Sequence, residues 1–169
     1  MIPRRYCFMM THSPTDPPPR WLNDDEMQTW LALVSMTIRL PAALDRQLRR
    51  DAGITHFDYQ VLAVLSESAD RSRKMKVLAG ITESSFSRLS HCISRLEETG
   101  WVRRTFDPDD GRSTIATLTP TGMKKLAAAA PGHIAAVRQH VFDPLTERQI
   151  AQLRTIASRV VETTARGSD

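Results

Sequence analysis

Between Ser85 and Leu118 the hydrophobic period of the chain changes once, from 3.6 residues to 2, and this limits the fold more than any other feature. Leu89, Cys92, Ile93 and Leu96 recur at i, i+3, i+4 and i+7, the single apolar stripe of an amphipathic helix. Ser85 is of the residue type that caps a helix start, and Gly100 supplies a left-handed stop after Glu97-Glu98-Thr99. In Trp101–Phe106 the side chains then alternate, with Val102, Arg104 and Phe106 on one face and Trp101, Arg103 and Thr105 on the other. Asp107-Pro108-Asp109-Asp110-Gly111 is dense turn chemistry, and Ser113–Leu118 alternates again. A helix feeding a two-stranded hairpin with a polar tip is therefore expected.

The rest of the chain reads as helix. Asn23-Asp24-Asp25-Glu26 has the form of a capping box and predicts a long helix to about Ala52, stopped by Gly53. Pro41 should bend or split it. A second helix is expected over Phe57–Ser66, then a short basic stretch, Asp70–Lys74, and a small third helix, Met75–Gly80. After the hairpin, Thr119-Pro120 starts a helix with proline in the first position; it should break at Pro131-Gly132 and resume to Phe142. Thr146-Glu147-Arg148-Gln149 is a second capping box, opening a helix with Ile150, Leu153, Ile156, Ala157, Val160 and Val161 inward. The first 22 or so residues hold Pro3, Pro14 and Pro17-Pro18-Pro19 and read as a disordered arm, or as an over-called start with Met9, Met10 and Met27 as alternatives.

Composition removes several classes. At 169 residues, one domain's worth, the chain can bury a core without staples. Its 2 cysteines, Cys7 and Cys92, rule out a disulfide framework and a cysteine-rich zinc site. No apolar run has the ~18 residues of a membrane helix, and the patch Tyr6–Met10 is too short for a signal peptide, so a soluble, cytoplasmic protein without membrane contact is expected. The net charge of +4 is modest but unevenly placed. Residues 23–70 carry 4 basic and 8 acidic side chains, whereas residues 71–104 carry 8 basic and 3 acidic. A basic centre beside an acidic segment suits a polyanion-facing surface.

Short helix, turn, amphipathic helix and hairpin is the order of a winged helix-turn-helix. The predicted fold class is therefore mainly α, a winged helix-turn-helix with a two-stranded β wing. Opposite the apolar stripe of the fourth helix lie Ser87, His91 and Ser94, flanked by Ser90, Arg88 and Arg95, with Ser85 at the start. Hydroxyls, an imidazole and guanidiniums are donors that read base edges and phosphates in a major groove. At the hairpin tip Arg112 stands two residues from Asp110. An arginine there can enter a narrow minor groove, with the carboxylate holding it extended.

These segments resemble the MarR family of bacterial transcription regulators. The wing motif Asp-x-Arg-x5-Leu-Thr-x-x-Gly is present as Asp110, Arg112, Leu118, Thr119 and Gly122. SFSRLSHCISRLEETGWVRR, Ser85–Arg104, resembles the family's recognition helix and first wing strand. The resemblance covers about residues 22–165, with specific signals over roughly 75–145. It implies a homodimer whose helical dimerisation region is formed by residues 23–54 and 120–165, with residues 55–119 as the DNA-binding winged helix. It also implies a repressor of double-stranded DNA targets, with no metal or other cofactor, released by a small phenolic or anionic effector between the two regions. Trp30, Met36, Phe57, Tyr59 and His133 are candidates to line that pocket, or else are core or dimer-interface packing.

Competing readings find less support. Cys7, beside Tyr6, would be the thiol of a redox-sensing regulator, whereas Cys92 lies on an apolar stripe and reads as inert. His91 and Cys92 diverge by about 100° on a helix, and His133 and His140 lack a third ligand, so zinc is not expected. No Gly-x-Ser-x-Gly elbow, Gly-rich phosphate loop or paired-carboxylate site supports an enzyme. A winged helix used for protein contact without DNA is the remaining alternative.

Overall fold

A computed structural model of the chain describes residues 20–108, 110–111 and 113–166. The expected N-terminal arm lies almost wholly outside the described residues. The chain divides into two compact units, Met1–Met36 and Thr37–Asp169, and the first helix, α1 (Asp24–Ala52), runs across the division.

In the first unit the capping box forms as expected. The Asn23 N–H donates to Glu26 Oε2 at 2.9 Å, and the Glu26 N–H donates to Asn23 Oδ1 at 2.8 Å. Asp24, Asp25 and Glu26 place negative charge at the positive end of the helix dipole. Trp21, Leu22, Met27, Trp30, Leu31 and Met36 are all exposed.

In the second unit α1 continues through Pro41 as a single helix, so the split expected there does not occur. Proline removes one N–H···O bond, which a 29-residue helix with bonded turns on both sides tolerates. Gly53, at φ 64°, ends it. There follow α2 (His56–Ser66), a 3-10 turn, β1 (Ser72–Lys74), α3 (Met75–Ile81), α4 (Phe86–Glu98), β2 (Val102–Phe106), β3 (Thr114–Leu118), α5 (Pro120–Val137), a π-helical turn (Arg138–Phe142) and α6 (Glu147–Arg166).

The expected two-stranded wing forms from β2 and β3, and β1 adds a third antiparallel strand to the sheet in the order β1-β3-β2. Val102 lies opposite Leu118 and Phe106 opposite Thr114, while Ser72 lies opposite Thr117, their hydroxyls 2.8 Å apart. Three residues, Ser72-Arg73-Lys74, are too few to display an alternating pattern, so only the pairing identifies them as a strand.

The main core gathers one face of each element: Val61, Leu62 and Leu65 from α2, Leu78 from α3, the α4 stripe, Val102 from β2, and Ala116 and Leu118 from β3. Leu126 of α5 joins it. The expected break at Pro131-Gly132 is absent, and α5 is one helix. Its buried face of Leu126, Ala129, His133 and Ala136 holds the turns on either side of Pro131 in register. Gly132 permits a close approach, since a Cβ there would lie 3.2 Å from Gln47 Nε2 of α1.

The α6 capping box forms, with the Thr146 N–H donating to Gln149 Oε1 at 2.9 Å. Its apolar residues are not turned inward within the chain: Ile156, Ala157, Val160 and Val161 are exposed, and Ile150 and Leu153 are half-buried. Among the described residues no helix is long and apolar enough to cross a membrane.

Candidate nucleic-acid interface

Helix α4 starts where its cap was expected, with Ser85 Oγ accepting the Arg88 N–H at 3.2 Å. Leu89, Cys92, Ile93 and Leu96 are buried, as their spacing requires. On the opposite side Ser87, His91 and Glu98 are exposed, and Ser90 and Ser94 half-buried.

The two arginines occupy one flank rather than the centre of this face, and both have partners on α2. The Arg88 guanidinium stacks over the Phe57 ring at 4.2 Å from its centroid. Arg95 forms an ion pair with the buried carboxylate of Asp58. Asp58 serves two helices at once. Its N–H donates to Thr55 Oγ1 and its Oδ2 accepts the Thr55 N–H, both at 2.9 Å, completing a capping box on α2. Its Oδ1 takes Arg95 and also accepts the Cys92 thiol at 3.2 Å. Burial opposes the charge on Asp58, but the Thr55 donors, Arg95 and Cys92 outweigh it and hold the carboxyl below its ordinary range. Burial, reinforced by the Asp58 charge, pushes the Cys92 thiol up to about 12, so it is not a thiolate at neutral pH.

At its other end α4 is tied to the sheet. The Arg104 N–H donates to Glu97 Oε1 at 2.9 Å and its Nε to Oε2 at 2.7 Å. These hydrogen bonds hold Glu97 below the ordinary glutamate range. The recognition-type helix is thus clamped to α2 on one flank and to β2 on the other.

The hairpin is closed by its own acidic residues. The Asp107 N–H donates to the Ser113 carbonyl at 2.9 Å, and its buried carboxylate pairs with Lys74 Nζ at 2.6 Å. Asp110 accepts the Ser113 N–H on its carbonyl at 2.8 Å and the Ser113 hydroxyl on Oδ2 at 2.6 Å. Arg112 lies outside the described residues, as does Cys7. The rest of the wing motif is a structural joint. Thr119 Oγ1 accepts the Gly122 N–H at 3.0 Å and donates to the Gly100 carbonyl at 2.7 Å. A Cβ on Gly122 would lie 2.1 Å from the Trp101 carbonyl oxygen, so only glycine lets α5 sit against the start of the hairpin.

A cavity of about 610 Å³ opens between α1, α2 and the arginine flank of α4. Pro41, Ala42, Asp45 and Arg49 line it from α1, with Thr55, His56, Phe57 and Gln60 from the start of α2 and Arg88, His91, Cys92 and Arg95 from α4. Of the five candidate effector-pocket residues, Phe57 lines this cavity. Tyr59 and His133 do not: their rings pack on each other at 4.2 Å between α2 and α5. His133 is buried with Nδ1 unpartnered and its ring 5.6 Å from His56. Burial holds both histidines below their ordinary value, and for His133 the His56 charge adds to this. Trp30 and Met36 are exposed residues of the first unit. The α1 side of the cavity was not foreseen. Asp45 and Arg49 are visible in the sequence as an i, i+4 pair, here bonded at 2.6 Å, but that spacing does not say which way the pair faces.

The structure is similar to a MarR family transcriptional regulator from Streptomyces coelicolor solved in complex with DNA, with a TM-score of 0.84 and 44% identity over 88% of this chain and 92% of that one. It is also similar to AbsC, a MarR family transcriptional regulator from the same organism, with a TM-score of 0.82 and 35% identity over 89% of this chain and 100% of that one. The transcriptional regulator BldR from Sulfolobus solfataricus matches with a TM-score of 0.68 and 25% identity, over 80% of this chain and 96% of that one. No protein-family model and no curated protein matches the chain.

Proposed function

The chain belongs to the MarR family of transcriptional regulators, and from that membership we propose that it is a repressor that binds a pseudo-palindromic operator as a homodimer and leaves it when a small anion fills the α1–α2–α4 cavity. The observation that carries this reading is the double use of α4. One side of the helix presents Ser87, His91 and Ser94 outward, and its flank supplies Arg88, His91 and Arg95 to the cavity wall. Arg49 lies on the α1 wall already paired with Asp45, so the cations open to a ligand are those of the α4 flank. An anion held there competes for Arg88 and His91, the same donors that a phosphate or base edge would use. A phenolate or carboxylate fits this lining better than a neutral apolar compound, because both polar and cationic groups converge on it.

The likeness to a regulator solved on DNA supports DNA binding, and to it we assign groove contacts of Ser85, Ser87, Arg88, Ser90, His91, Ser94 and Arg95 and a wing contact of Asp110 and Arg112. Ser85 takes part through its position at the helix start, since its hydroxyl already caps the helix. The unpartnered apolar residues of α6 and of the N-terminal part of α1 support the dimer.

Selection of duplexes from random DNA by the purified protein tests the reading. The expected product is a pseudo-palindrome with half-sites about 10 base pairs apart, bound less tightly as salt rises. Arg112→Ala should weaken binding without altering folding. Failure to enrich any duplex, or binding that barely responds to salt, overturns the proposal in favour of a protein-contact role.

A further inference from the structure

Phe86 is the first residue of α4, and it is 57% exposed. It belongs to neither hydrophobic core cluster. Val77 and Ile81 of α3 are exposed as well, and with more than half of its surface open to solvent Phe86 adds less to folding than a core phenylalanine would, while the Ser85 cap starts the helix without it. Its position gives the exposure a direction. Side chains on a helix tilt toward its N-terminus, so at the first position the ring projects ahead of the helix rather than along its side. In a groove-docked recognition helix that is the end nearest the base edges. The neighbouring hydroxyls of Ser87 and Ser90 can meet donors and acceptors there, but none of them suits the one apolar group the major groove displays, the C5-methyl of thymine.

We propose that Phe86 is a specificity-determining residue that reads a thymine C5-methyl group in each half-site. The inference rests on the DNA-binding reading above and adds to it the chemical class of one contact. It involves no hydrogen bond and no phosphate, so it is separable from the polar contacts of Ser87, Arg88 and His91.

Replacing thymine by deoxyuridine removes that methyl group and leaves the Watson–Crick pair unchanged. The test uses the full-length protein and the operator recovered by selection, with each thymine replaced in turn. At one thymine per half-site the wild type should lose about fourfold in affinity for each methyl removed, the value of one buried methyl-sized group. Phe86→Ala should bind the unmodified operator less tightly and show no further loss on the deoxyuridine duplex. Phe86→Leu, which keeps an apolar end, should retain part of the discrimination. Unchanged melting temperatures establish that both variants fold. If the wild type binds every deoxyuridine duplex as tightly as the parent, or if Phe86→Ala keeps the full loss, the role of Phe86 is overturned while DNA binding stands. If Phe86→Ala weakens operator and random duplexes equally, the ring contacts the sugar-phosphate backbone and the proposal fails. If no duplex is bound at all, the DNA-binding reading itself has failed.

Discussion

Two buried residues, Gly122 and His133, are where single substitutions should be most informative. Gly122 sits against the Trp101 carbonyl oxygen and Leu118 Cδ1, which an added Cβ would approach to 2.1 and 2.7 Å. One of these neighbours is backbone and cannot swing aside, so Gly122→Ala should cost about 3 kcal/mol or more, measured by urea unfolding. Loss of under 1 kcal/mol would mean that α5 can move off the hairpin. His133 is held below its ordinary value near 6.5 by burial and by His56, whose own depression is partly offset by Asp45. The unfolded chain therefore binds protons on these rings at a higher pH than the folded one does. The stability they contribute is complete above about pH 6.5 and is lost as pH falls through the folded values. Between pH 7.5 and 5.5 the unfolding midpoint should drop. His133→Leu should lessen that drop while leaving stability at pH 7.5 equal or higher, because it also removes an unpartnered buried nitrogen. An unchanged pH profile in the variant would assign the effect elsewhere.

Among the elements, α4 is tied by side chains to both α2 and β2. Asp58 caps α2 and receives Arg95 from α4, so one carboxylate fixes both the start of one helix and the roll of the other. The Asp58 side chain is 5% exposed but that of Arg95 is 51%, which leaves solvent to screen the pair. Arg95→Ala is therefore expected to cost about 1–2 kcal/mol, below the range for a wholly buried pair. Asp58→Asn should cost more, through the capping box and the Cys92 contact as well. In a double-mutant cycle the two losses should fall short of adding. Strict additivity would show that the pair contributes nothing to holding α4. The starts of α1, α4, α5 and α6 were legible, whereas the Thr55 cap of α2 was not and starts that helix one residue before the expected Phe57.

For the whole molecule the unresolved demand is apolar surface. Ile156, Val160 and Val161 of α6 are all exposed, a face that a helix of this length needs to cover to be stable in water. The proposed homodimer would supply the cover, and if it forms the melting temperature rises with protein concentration. Val160→Glu should shift light-scattering mass toward the monomer and remove that dependence. A wild-type monomer at micromolar concentration would contradict the dimer.

Features settled within a few residues along the chain could be read from residue order alone. Caps, glycine stops, the stripe of α4 and the alternation of the hairpin are of this kind, because hydrogen bonds at i+3 or i+4 and side-chain periods of 3.6 or 2 leave local marks. Features that depend on distant partners came from packing. β1 is a strand because Ser72 meets Thr117, and α5 stays whole through Pro131 because its buried face is held from outside. Arg88 and Arg95 turn to the cavity because Phe57 and Asp58 stand beside them. Tyr59 and His133 pack together in a tilted ring contact between α2 and α5 instead of lining that cavity. In each case the residue type permitted two placements, and the energy that chose between them came from a neighbour far away in sequence.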